Sequence, residues 1–252
     1  MKIYCASLKN EWTKLMSKKK YPVFIIIGVV ICILWAILGQ MIFELTGTHV
    51  GLAINLAPTP MGMLPLFLQI IVPLLIFMGV TDLITVEGFD NTMRAMLTRP
   101  VERWKLYFSK INAVVIYAAL YLAIIFVACL ILSFVFGRSL GIIEILTALA
   151  SYALTIVPLT ILASFAALIA LFGKSGTLTM FILLFAYLIL NVAPIVLPIN
   201  NEILFTSYLS WHRLWIGILP EASSLIHMLV IVLGYGFVFL ISGSLIFERK
   251  EY

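Results

Sequence analysis

Six long apolar runs dominate the chain, and its basic residues crowd onto one side of them. The runs are read at 22–42, 61–85, 106–136, 144–172, 177–199 and 225–247. Each supplies the ~20 apolar residues that a helix needs to cross the hydrocarbon core. Lys2, Lys9, Lys14, Lys18, Lys19 and Lys20 precede the first run. Arg94, Arg99, Arg103, Lys105 and Lys110 lie around the start of the third. Lys174 separates the fourth from the fifth, and Arg249 and Lys250 follow the sixth. Arg138 and Arg213 are the two exceptions among sixteen Lys and Arg residues. Basic residues beside membrane spans stay in the cytoplasm, so the pattern predicts an all-α, six-span membrane protein with both termini inside. A β-barrel would show short alternating segments instead.

Composition closes off the soluble alternative. Hydrophobic residues make up 63% of the chain and charged residues 11%, against roughly 25% charged in a soluble domain. The net charge of +5 sits where anionic lipid attracts it and requires no nucleic acid. Cys5, Cys32 and Cys129 read as unpaired, with no disulfide framework. The first run is too long for a signal-peptide core and has no convincing cleavage site, so it is kept as a span. With no internal repeat and no soluble module, residues 1–252 read as one membrane domain.

Three segments outside the spans carry a pattern. Over 2–17, Tyr4, Cys5, Leu8, Trp12, Leu15 and Met16 fall on one stripe at helical spacing. This predicts an interfacial amphipathic helix within 1–20, with Trp12 at headgroup depth. Over 87–99, Phe89, Met93, Met96 and Leu97 share a face while Asp90, Asn91, Arg94 and Thr98 lie elsewhere. Pro100 disfavours helix at Arg99 and ends that segment. Over 200–224, an apolar stretch rich in aromatics ends at Pro220. It reads as a surface-lying or re-entrant helix, with Tyr208, Trp211 and Trp215 as contacts for lipid or a passing lipophilic molecule.

Catalytic and metal signatures are absent: no His-Glu-x-x-His, Gly-x-Ser-x-Gly or Cys-x-x-Cys occurs. Gly173-Lys174-Ser175 resembles the end of a phosphate loop, but Leu168 stands where its first glycine belongs. It reads as a tight turn. His49, His212 and His227 are scattered, so no catalytic, cofactor-binding or metal residue is assigned. Asp82, near the end of the second run, is expected to pair with Lys110 or Arg103 or to meet water. Pro65, Pro73 and Pro158 predict local kinks.

In the order of these elements, and in Gly88-Phe89-Asp90-Asn91-Thr92-Met93-Arg94-Ala95-Met96-Leu97-Thr98-Arg99-Pro100 preceded by Glu87, the chain resembles the ABC-2 type transporter permeases. It resembles in particular the small six-span members that include lantibiotic and bacitracin immunity subunits. Of the family's Glu, Gly-Thr-x-x-x-Leu-x-x-x-Pro pattern, Glu87-Gly88 supplies the Glu-Gly pair while Thr92 is displaced by insertion. The resemblance implies the membrane half of an ATP-driven exporter in a bacterial cell membrane. It implies two cytoplasmic ABC ATPase subunits, which hold the ATP and Mg, and a second permease chain, identical or related. It makes 87–99 the coupling helix, with Glu87, Phe89, Met93, Arg94, Met96, Leu97 and Arg99 at the ATPase contact. Two other readings remain: a sensor or immunity protein that captures a peptide without moving it, and a secondary transporter. The second lacks a midplane ion site and a repeat.

Overall fold

The computed structural model describes residues 2–47, 50–51, 54–55, 59–90, 102–137, 140–196, 204–215 and 222–250. A helix over Lys2–Ser17 comes first. Six helices long and apolar enough to cross a membrane follow: Lys20–Leu45, Pro60–Phe89, Arg103–Val135, Ile142–Ala170, Gly176–Pro194 and Ile226–Arg249. They match the six apolar runs to within several residues, because an apolar run in lipid has no other way to satisfy its backbone. Local chemistry sets several ends. Gly47 and Gly137 adopt left-handed φ values of 69° and 70° just past the first and third spans, a conformation that costs glycine nothing. Thr59 caps the second span by accepting from the Gly62 amide, with Pro60 in the first turn. Between the first two spans, Val50–Gly51 pairs antiparallel with Ile54–Asn55.

The second, third and fourth spans form the packed interior. Their apolar windows are 61%, 50% and 56% buried, against 22%, 11% and 11% for the first, fifth and sixth. The outer three spans therefore show a wide apolar surface, including Ile26, Leu34, Phe181, Phe185, Val230 and Phe237. Patches of that extent are stable against lipid, not water. Small residues let the inner helices approach. Ala118, Ala166 and Ala167 are fully buried. At Gly28 a Cβ would stand 2.2 Å from the Tyr121 hydroxyl, so the first span meets the third through a bare backbone.

The spans are not regular throughout. The second widens to π-helix at Phe67–Ile71 and again at Thr81–Val86. Pro73 has no N–H for the Gln69 carbonyl four residues earlier; the Tyr187 hydroxyl of the fifth span donates to that carbonyl at 2.9 Å. The fourth span divides into Ile142–Leu154 and Ile156–Ala170. Pro158 lies four residues after Leu154 and cannot bond its carbonyl.

The stretch before the sixth span is a 3-10 helix over Phe205–Trp215, broken at Ser210. Phe205, Tyr208, Leu209 and Trp211 are buried. The Phe205 ring meets Phe165 of the fourth span at 5.1 Å and Phe239 of the sixth at 5.5 Å. This end of the bundle is thus filled by a short aromatic plug.

Candidate functional site

The N-terminal helix turns its apolar stripe toward the third span. Leu15 is fully buried, and the Trp12 ring sits 6.5 Å from that of Tyr117. Ser7 and Ser109 hydroxyls bond at 2.9 Å, and the Asn112 amide donates to the Tyr4 hydroxyl at 2.5 Å. The third span thus offers aromatic and polar partners along the face that carries Trp12.

Glu11 stands inside that stripe, three residues after Leu8 and four before Leu15. Its position carries it to the centre of a closed ring of four charges. One Glu11 carboxylate oxygen meets Lys14 Nζ at 3.0 Å and the other meets Lys110 Nζ at 2.9 Å. Glu87 repeats the arrangement, with Lys14 at 3.0 Å and Lys110 at 2.5 Å. Each lysine bridges both carboxylates, each carboxylate bridges both lysines, and the formal charges cancel. The Lys110 and Glu11 side chains are wholly buried, and Glu87 is 11% exposed. Burial pushes the Glu11 carboxyl up, but the Lys110 and Lys14 charges and their hydrogen bonds outweigh it and hold it below its ordinary 4.5.

A second cluster lies beside the ring. Asp82, in the second π-helical stretch of its span, meets Lys20 at 2.5 Å and Lys18 at 3.5 Å. It also accepts from the Tyr21 hydroxyl at 2.7 Å. The expected pairing of Asp82 with Lys110 or Arg103 is therefore corrected. Lys110 is held by the two glutamates, and Arg103 donates to the Glu248 carbonyl at 2.7 Å, tying the third span to the end of the sixth. Lys18 and Lys20, counted from sequence only as topological charge, fill the role instead.

The ring fixes the start of the 87–99 segment. Glu87–Phe89 continues the second span as helix. Phe89 is 70% exposed, and it borders a cavity of about 260 Å³ lined also by Gly88, Thr85, Gly173, Lys174 and Lys250. The Lys250 ammonium donates to the Leu171 carbonyl, and burial lowers its pKa from the ordinary 10.5. Met93, Arg94, Met96, Leu97 and Arg99 lie outside the described residues. The chain turns at Leu171-Phe172 and bends through Lys174-Ser175, and Ser175 Oγ caps the fifth span by accepting from the Leu178 amide at 3.2 Å.

At the opposite end, Tyr208 and Trp211 are buried in the plug. The Trp211 indole N–H has no hydrogen-bond partner among the described residues. In a 3-10 helix it is residues three apart that align. Tyr208 and Trp211 keep that spacing.

Sequence reasoning missed Glu11, Lys14 and Lys110 as a unit. The available signal was a carboxylate within an apolar stripe and a lysine several residues inside an apolar span. A buried charge of that kind requires a partner. Among the described residues, no three His, Cys, Asp or Glu side chains gather as a metal site.

No curated protein matches the chain. The family model for ABC-2 family transporter proteins matches residues 7–191, a stretch running from the N-terminal helix through most of the fifth span. The chain belongs to that family, and is a multi-pass ABC transporter permease.

Proposed function

We propose that this permease is the membrane half of an ATP-driven exporter, in which residues 87–99 dock on a cytoplasmic ATPase and the four-charge ring passes the push on to the spans. The observation that carries the reading is the position of Glu87. It is the first residue of the docking segment, and it is bound through Lys110 to the third span and through Lys14 to the N-terminal helix. Closure of nucleotide-binding domains is a rigid-body motion that needs a handle. A handle continuous with the second span and ionically tied to two further helices moves all three as one body. Phe89, Met93, Met96 and Leu97 form its apolar face; Arg94 and Arg99 supply charge for an acidic groove.

The remaining parts follow the family. The basic end lies in the cytoplasm with both termini. Two ATPase subunits carry ATP and Mg, and a second permease chain, identical or related, completes the complex in a bacterial cell membrane. The cargo is hydrophobic or amphipathic, with an antimicrobial peptide as one candidate. Tyr208, Trp211 and Trp215 contact it at the exit, where the unpartnered indole N–H of Trp211 offers a donor to a cargo acceptor.

The test is to reconstitute the permease with its ATPase and introduce Phe89→Asp or Met93→Asp. A carboxylate in an apolar groove costs on the order of several kcal/mol unless it is paired. The expected result is an inserted, folded permease that no longer retains the ATPase or no longer couples hydrolysis to transport. Unchanged co-purification and transport in both variants would end the docking assignment.

A further inference from the structure

Three sulfur atoms from three different spans meet in the half of the bundle away from the charge ring. Cys32 Sγ of the first span lies 3.8 Å from Cys129 Sγ of the third. Cys129 Sγ lies 3.3 Å from Met63 Sδ of the second. All three side chains are fully buried. A second observation points to the same place. The Tyr121 hydroxyl is buried and has no hydrogen-bond partner among the described residues. It lies over Gly28, one helical turn before Cys32 on the same face of the first span.

We infer that Cys32, Cys129 and Met63 form a binding site for a soft monovalent cation, Cu(I) or Ag(I). The donor set argues the chemistry. Thiolate and thioether select soft cations, whereas Mg, Ca and Mn take oxygen donors. The geometry agrees. Metal–sulfur bonds of about 2.3 Å at trigonal angles separate neighbouring sulfurs by about 4 Å. Two sides of that triangle are in place: the 3.8 Å separation already matches and the 3.3 Å contact must open by roughly 0.7 Å, while the cation would set the third, between Cys32 and Met63. Charge also balances. Uptake of one monovalent cation with loss of one thiol proton leaves the site's net charge unchanged, as the bilayer interior favours. The second thiol keeps its proton and binds through a sulfur lone pair. A disulfide would use two of the sulfurs and leave Met63 without a part. Packing alone would be met by valine or leucine. The site stands apart from the charge ring, so it does not depend on the ATPase-coupling reading.

The experiment uses the full-length chain in detergent, without oxygen, carrying Cys5→Ser because Cys5 is an exposed thiol. Cu(I), kept reduced by ascorbate, is titrated against a chromogenic Cu(I) chelator. The expected result is about one Cu(I) bound per chain, with three sulfur neighbours near 2.3 Å by X-ray absorption. Cys129→Ser should abolish binding, and Met63→Leu should weaken it about tenfold or more. Melting curves without copper check that each variant is folded; if Cys129→Ser does not fold, Cys32→Ala decides in its place. Absence of binding by the folded chain would overturn the proposal. So would binding retained at full stoichiometry in the cysteine variant. A Cys32–Cys129 disulfide in chain isolated with its thiols trapped would also overturn it.

Discussion

At the end that carries the N-terminal helix, two carboxylates and two ammonium groups close on one another with no formal charge left over. At the other end the Trp211 indole N–H is buried without a partner among the described residues, inside a plug built from Phe205, Tyr208, Leu209 and Trp211. Both ends bury polar atoms, but they do so under different demands. An ionic ring is rigid and directional, and breaking one member leaves another charge stranded. That suits a part which must transmit force. An aromatic plug held by non-directional packing, with a donor left open, suits a part that yields to a passing molecule.

The sharpest way to break the comparison is at Lys110. Lys110→Met removes one bridge from each carboxylate and leaves Glu11 and Glu87 facing each other with Lys14 as their shared cation. Removing one partner from a buried ionic pair costs about 3–5 kcal/mol. Thermal unfolding of the purified chain should show a loss of that order. A change below about 1 kcal/mol would show that the ring is solvated and not a rigid tie.

A smaller effect is expected in acid. The folded pKa of Glu11 lies below the ordinary 4.5. Its stabilisation is therefore complete above that value and is lost as the pH falls through the folded pKa. Stability measured between about pH 5 and pH 3 should fall less steeply in Glu11→Gln than in the parent chain. Equal slopes would assign the acid sensitivity to other carboxylates.

The smallest effect belongs to the plug. Trp211→Phe loses part of the indole volume but also removes the unpartnered N–H, and these oppose each other. A net stability change within about 1 kcal/mol is expected. A loss of several kcal/mol would mean that the indole nitrogen has a strong partner in the membrane, and the contrast between the two ends would weaken.

The spans were legible because lipid leaves an apolar run of such length a single conformational solution. Fold class, span number and family followed from one-dimensional patterns: apolar length, basic bias and the Glu87 to Pro100 segment. The ring was not legible, because it joins residue 11 to residues 87 and 110, and no local period records such a meeting. From sequence Lys110 reads as a topological charge or a partner for Asp82, and Glu11 is hidden within a stripe identified by its apolar neighbours. Asp82 pairs with other cations than expected for the same reason: sequence distance from Lys18 and Lys20 conceals that the start of the first span reaches Asp82 in the second. In the Phe205–Trp215 plug, aromatic content was legible but the tighter 3-10 winding and the packing on the fourth and sixth spans were not, since no local period records either.

The most direct test of the ring as a mechanical tie compares Lys110→Met with Lys110→Met/Glu87→Gln in the reconstituted transporter. The double variant leaves the neutral pair Lys14–Glu11 and no stranded carboxylate, so the chain should regain most of the stability lost in the single variant. Its link between Glu87 and the third span is still cut. The account predicts recovered melting temperature with transport per ATP still strongly reduced. Recovery of transport together with stability would contradict it, and would make the ring a device of folding alone.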